Sequence, residues 1–463
     1  MVTTPVRAHA RQQRGDARRP GARALDVLTT GRREISMKHT IGTAAVAGAV
    51  ALALHGSVAI AADARNVEQV VKPPVAQLWV DAATIGGMGM PQGGMMSMVT
   101  GGLMKGHNQF GSTRGMSPGR WLDVAFRTQL APAGTAATQA IPPGMKLGDS
   151  LPLLPWQPRK SGPGTSGDGE EMPERPKFRI KFYWGCGEKV REGQPRVLDF
   201  STTPLEQWGE FFQGRAVRDR GAQAKPGHSL WPNEKDRRYV PADASLVGRH
   251  AVTGQAVPPA LQFQIDAVHD FMPAIQLEQS GELAGSILLT WPTVPHAGAY
   301  FINAMSGGEG SDGTSEMVFW SSAEVPDFGM GLMDYASPAN VRKWLNEKVL
   351  LAPATTRCAV PAGIFAGSGG GMLRMIAYGP ELNLADPPRP ADKAIPWEPQ
   401  WAVRVRTKSQ TMAMLGMRSM DAGGAGAGAD PGEPAAGEPP AEEEAPKKKP
   451  SKWDLLRQVI PRP

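Results

Sequence analysis

The sequence predicts a mainly β protein: two β-sandwich-like domains with a few short helices and a disordered C-terminal tail. Three observations carry this expectation. Apolar and polar residues alternate with period 2 over short segments, as half-buried strands require. Gly 55 and Pro 43 in 463 residues supply frequent turns and linkers, while a hydrophobic content of 41% leaves enough for real cores. Residues 421–450 hold only Gly, Ala, Pro, Asp, Glu and Lys, so they have nothing to bury and cannot fold alone.

Residues 62–150 read as an N-terminal β region. Leu78-Trp79-Val80-Asp81-Ala82 and Trp121-Leu122-Asp123-Val124-Ala125-Phe126 resemble each other as two strands of one sheet would. Between them, residues 86–115 form a Gly/Met-rich insertion without periodicity. Residues 151–176 read as a Pro/Gly linker. Residues 177–273 continue the N-terminal β domain. There Phe178, Ile180, Phe182 and Trp184 share one face of a strand, opposite Arg179 and Lys181. A helix is expected with Thr203 as N-cap, Pro204 at its first position, Glu206 completing a capping box and Gly214 as its stop. Leu261–Ile265 alternates as the last strand before a hinge near Pro273.

Residues 274–420 carry a second series of short strands. These are Ile287–Trp291, Tyr300–Ala304, Met317–Trp320, Thr355–Val360, Leu373–Tyr378 and Trp401–Lys408, with a helical insertion opened by Ser337-Pro338. Residues 421–450 then form the disordered linker, and 451–463 an amphipathic docking peptide. In that tip Trp453, Leu456, Val459 and Ile460 share a helical face, Ser451 caps it and Pro461 ends it. Its ten or so residues fall below the ~12–15 that hold a helix alone in water, so the tip is expected to fold only on a surface.

The first 61 residues read as an export signal. Met37-Lys38 begins a short positive stretch, Ile41–Leu54 is apolar and uncharged, and Ala59-Ile60-Ala61 offers small residues for cleavage, giving a signal peptide over 37–61. The apolar run is too short for the ~20 residues of a spanning helix. Residues 1–36 read as a start assigned too early or an extension of the signal. A twin-arginine signal at Arg32-Arg33 is the alternative, although Glu34–Lys38 does not match its expected spacing. The formal charge of +6 resides there: without residues 1–61 the chain carries 41 basic and 41 acidic residues. Nucleic acid is therefore not an expected partner. The expected location is the periplasm or cell envelope.

Cys186 and Cys358 are the two cysteines. In an oxidising compartment they either form one disulfide, worth about 5 kcal/mol for a loop of about 170 residues, or remain two buried thiols. As a bridge they would staple the two domains together.

Few constellations suggest chemistry. Met88, Met90, Met95, Met96, Met98 and Met104, with His107, offer soft ligands for Cu(I) on a flexible loop; the alternative is a Gly-rich loop with Met as filler. Gly227-His228-Ser229 and Ala366-Gly367-Ser368-Gly369 both fall short of a serine nucleophile elbow, the second because an alternating strand follows where a helix is required. His269-Asp270 places adjacent side chains on opposite faces, so no dyad is implied. No zinc, haem or dinucleotide motif is present. Arg404, Arg406 and Lys408 read as the exposed basic face of a final edge strand, blocking aggregation or binding a partner. No catalytic residue and no cofactor is predicted, with copper as the alternative.

Leu289-Thr290-Trp291, a Pro-bearing turn and Ala299-Tyr300 resemble the second and third strands of fibronectin type III modules. The resemblance covers residues 274–420 and implies a β-sandwich used for binding or spacing; the helix near 337–350 departs from the pattern. More loosely, the chain is similar to uncharacterised exported proteobacterial proteins. The function expected is non-enzymatic binding in the cell envelope, with a protein partner engaged through sandwich surfaces and the tethered tip. An anionic membrane face is the alternative for the tip, near Lys447–Lys449. A periplasmic Cu(I)-binding protein and an enzyme with an unrecognised site are the other readings.

Overall fold

The computed structural model describes residues 68–87, 108–158, 177–310 and 312–416. The expected signal peptide over 37–61, the Met-rich stretch 88–107 with His107, and the tip bearing Trp453, Leu456, Val459 and Ile460 lie outside the described residues. The fold is mainly β.

The two similar segments noted above are β1 (Ala76–Ile85) and β2 (Gly119–Thr128), paired antiparallel with Leu78 opposite Phe126 and Val80 opposite Val124. The sheet continues from β2 through β7 (His228–Trp231), β4 (Ser150–Pro155), β3 (Ala137–Ala140), β8 (Gly248–Thr253) and β9 (Gln262–Ile265). Alternate residues of these strands fill one core, in which Leu78, Val124, Leu153, Trp231 and Ile265 are buried. The expected linker over 151–176 therefore begins inside a strand. Leu151 and Leu153 alternate into that core, and the prolines at 152 and 155 had disguised the period.

The second half builds two facing layers. β10 (Glu278–Gly281), β11 (Ile287–Thr290) and β14 (Arg357–Val360) form a three-stranded sheet in the order β10-β11-β14. Opposite it run β13 (Ser315–Ser321), β12 (Ala299–Glu309), β15 (Gly371–Asp386) and β16 (Trp401–Leu415), in that order. Leu289 and Trp291 meet Tyr300, Ile302 and Met375 in the core between the layers. Trp291 and Tyr300 touch edge to face, with ring centroids 5.7 Å apart.

The expected boundary at 273/274 does not divide the sheet. β5 (Phe178–Trp184) runs parallel to β13, with β6 (Arg196–Asp199) beyond it at one edge. These strands, assigned from sequence to the first domain, thus extend the second. At the other junction β1 pairs parallel with β16 over the whole length of β1, from Ala76 opposite Trp401 to Ile85 opposite Gln410. Thirteen strands share one sheet among the described residues. Phe271 packs in the first core, while Met272 and Ile275 pack in the second, so the chain crosses from one core to the other around the exposed Pro273.

Cys186, just past β5, is bonded to Cys358 of β14, with Sγ–Sγ 2.07 Å. Because β5 belongs to the second half, the bridge ties together two layers of that half, where a staple between domains had been expected.

Two short helices complete the fold. α1 (Leu205–Phe211) has Pro204 at its N-cap without a side-chain cap, so neither the Thr203 cap nor the capping box forms. It ends three residues before Gly214, where Phe211 and Phe212 turn onto Phe328, with centroids 6.0 and 5.4 Å away. α2 (Pro338–Asn346) starts as expected: Ser337 Oγ accepts the Asn340 N–H at 3.2 Å.

Candidate functional site

Along β16 the side chains alternate. Trp401, Val403 and Val405 enter the first core, which sends Arg404, Arg406 and Lys408 to the opposite face. The sequence placed that basic row on an exposed edge. The structure overturns this: β16 lies between β15 and β1, and Arg406 and Lys408 are only 4% and 1% exposed. Buried cations persist only where carboxylates and hydrogen bonds replace water, so each has acquired partners from distant segments.

Asp81 of β1 stands opposite Arg406 in the parallel register. Arg406 donates from Nε to Oδ1 at 2.7 Å and from Nη2 to Oδ2 at 2.6 Å, a bidentate pair. The Ala222 N–H donates to the same carboxylate at 3.0 Å. Asp123 of β2 is the cross-strand neighbour of Asp81 and accepts the N–H groups of Gly111 at 2.8 Å and Thr113 at 3.3 Å. Lys408 Nζ donates to Asp334 at 3.1 Å. Arg114 links these groups, reaching Asp334 at 3.0 Å and Asp219 at 2.8 Å. The Tyr335 ring lies under two cations, its centroid 4.4 Å from Arg406 Cζ and 4.5 Å from Lys408 Nζ.

The protonation states follow from this packing. Burial pushes Asp123 up to about 6, outweighing the hydrogen bonds from Thr113 and Gly111. Burial works in the same sense on Asp334, but Lys408 and Arg114 overcome it and hold that carboxyl well below the usual range. Burial lowers the Lys408 ammonium against the pull of Asp334.

Three loops seal the layer. Residues 108–115 bring Thr113 and Arg114, residues 219–222 lie over Asp81, and residues 333–336 bring Asp334 and Tyr335. Gly221 packs so closely that an added Cβ would lie 1.7 Å from Arg406 Nη2 and 2.3 Å from Asp81 Oδ2. Only glycine fits there.

Beside the sealed layer opens a cavity of about 350 Å³. Four successive strands each place one residue at it: Arg404 on β16, Trp79 on β1, Arg127 on β2 and His228 on β7. Trp79 pairs in register with Arg404, and Arg127 with His228. The loop 219–225 adds Asp219, Arg220, Gln223 and Lys225. Trp79 and His228 stack face to face, 5.3 Å between centroids and 8° apart in plane. Burial lowers the His228 imidazole; Gln223 O lies 3.0 Å from Nδ1, and the charges of Arg127 and Lys225 add to the lowering. Arg404 donates to Arg220 O at 2.7 Å and to Asn383 at 2.9 Å, and Glu381 pairs with both Arg220 at 3.1 Å and Arg404 at 3.3 Å.

The other sequence candidates do not assemble. Ser229 Oγ donates to Thr135 O at 2.6 Å and is not paired with His228. Ser368 Oγ donates to Ser306 at 2.8 Å, and the strand β15 follows it. His269 pairs with Asp266 at 2.7 Å, whereas Asp270 accepts from Ser245 and Leu246. Among the described residues no cluster of three His, Cys, Asp or Glu is placed to hold a metal. Sequence reasoning passed over Asp81 and Asp334 as partners of the basic row, and Asp123 as the cross-strand neighbour of Asp81. For Asp81 and Asp123 the signal was present: an acid interrupts each of the two similar apolar segments at the corresponding point. A scan against protein-family models finds no match, and searches of the curated proteins and of the solved structures find none either.

Proposed function

We infer that the chain is a non-enzymatic binding protein of the cell envelope, exported and working in an oxidising compartment. It engages a protein partner through its sandwich surfaces, with the C-terminal tip as a tethered second contact. One observation carries this reading: Asp81, Asp123, Asp334, Arg406 and Lys408 are committed to one another and to backbone groups under a sealed layer. Their charge is spent on holding loops to a sheet.

Two further observations support it. The Cys186–Cys358 bond suits an exported chain. A three-stranded layer packed on β13, β12, β15 and β16, with Trp291 against Tyr300, is compatible with the β-sandwich that the resemblance to fibronectin type III modules implies for residues 274–420. Such modules mostly bind or space, although a fold alone does not settle a function.

Crosslinking in the host followed by partner identification tests the reading. Ending the chain after Leu415, past the last strand, should leave the far-ultraviolet circular dichroism intact and lose the partner. Unchanged recovery of the partner would remove the tip from the proposal.

A further inference from the structure

We propose that the cavity between β16, β1, β2 and β7 is a binding site for a sugar-sized anionic ligand. Its phosphate or carboxylate would sit among Arg127, Lys225 and Arg404, and its ring against the Trp79–His228 pair. This goes beyond the protein-partner reading and stands or falls separately from it.

The argument begins with charge. In the adjoining layer every named cation has a carboxylate partner. At the cavity, Arg127 and Lys225 have no ion pair among the described residues, although both are close enough to act on His228. Arg404 is half-buried and turned toward the same space, with its Nη1 and Nε held by Arg220 O and Asn383. Fixing a guanidinium this way orients its remaining donors before any ligand arrives, which reduces the ordering cost of binding. Glu381 is shared by Arg220 at 3.1 Å and Arg404 at 3.3 Å, and Asp219 on the rim pairs with Arg114, so the surplus positive charge at the cavity rests on Arg127, Lys225 and one of those two arginines.

Shape gives the rest of the ligand. About 350 Å³ lies near the lower limit for small-molecule sites and suits a single ring with its substituents. The half-exposed Trp79 ring, backed by the buried His228 ring stacked on it, offers a flat apolar surface beside the cations. A ring that stacks and an anion that forks to arginine meet both demands at once. Burial lowers the His228 imidazole, so it backs the Trp79 ring without adding positive charge at pH 7.

Calorimetric titration of the full chain with glucose 6-phosphate, glucuronate, inorganic phosphate and glucose is the test. At least one of the two sugar anions is expected to bind; the phosphate and carboxylate arms identify which head the site takes. Inorganic phosphate should bind at least tenfold more weakly than the better sugar anion, and glucose should not bind measurably. Arg127→Ala with Lys225→Ala should weaken the sugar anion tenfold or more. Both side chains are exposed, so the thermal midpoint should not move. The proposal is overturned if neither sugar anion binds at 10 mM, if glucose binds equally well, or if the double substitution leaves the affinity unchanged.

Discussion

Arg406 and Asp81 are each the principal partner of the other, and neither meets solvent. Removing one leaves a buried charge without compensation, a loss worth about 3–5 kcal/mol. Asp81→Ala is therefore expected to lower the unfolding free energy by that amount in urea titration. Tyr335 points the other way. Its ring serves Arg406 and Lys408, but its hydroxyl is buried with no hydrogen-bond partner among the described residues. Tyr335→Phe keeps the ring and removes the unsatisfied group, so a gain of about 1 kcal/mol is expected in the same titration. Asp123 sets a pH dependence. Its folded-state value near 6 lies above its ordinary 3.8, so the folded chain binds the extra proton between about pH 4 and 6. Its contribution is full below that window and is lost as pH rises through it, about 3 kcal/mol in all. Asp334 is depressed, so its contribution is lost only as the pH falls below the ordinary carboxylate range. Asp123→Asn should flatten the decline in stability from pH 4 to 6 and leave the acid limb in place.

Strands were legible in the sequence wherever period 2 ran unbroken, as in β1, β2, β5 and β11. β4 was not, because Pro152 and Pro155 occupy positions that normally mark a loop. Partners were less legible than elements. Alternation places β5 on one face of a sheet but cannot say that β13, about 130 residues later, lies beside it. For the same reason the basic row of β16 was assigned to the surface. A charged face reads alike whether water or a loop covers it, and here residues 219–222 and 333–336 cover it. Gly221, the one residue small enough to let the first of those loops settle, looks in sequence like any other glycine. The α1 start failed differently: Thr203 and Glu206 have the spacing of a capping box, yet Pro204 takes the N-cap position and no side chain caps the helix. At this scale the disulfide is also testable. Replacing Cys186 and Cys358 together by serine should cost about 2–5 kcal/mol, read as a lower denaturation midpoint without a change of secondary structure.

At the scale of the molecule, one sheet carries both cores, and its central joint is the parallel pair β1–β16. Each half depends on the same joint. Val403 and Val405 of β16 belong to the first core, while Ala413 and Leu415 pack with the second. A chain ending before Trp401 is therefore expected to lose both halves together, seen as a collapse of protease resistance across the whole body. A chain ending after Leu415 keeps the joint, which is why the tail can be removed separately. Folding should be slow for its size, since the contacts that matter join residues far apart in sequence.

The Arg406–Asp81 pair spans 325 positions. A ribosome or an export channel delivering the chain from its amino end releases the acid long before the base. Throughout that interval Leu78 and Val80 face water, and the open side of the first strand can pair with any extended segment nearby. Newly delivered chains should accordingly need a holding chaperone until their final strand arrives, and dilution should raise refolding yield steeply.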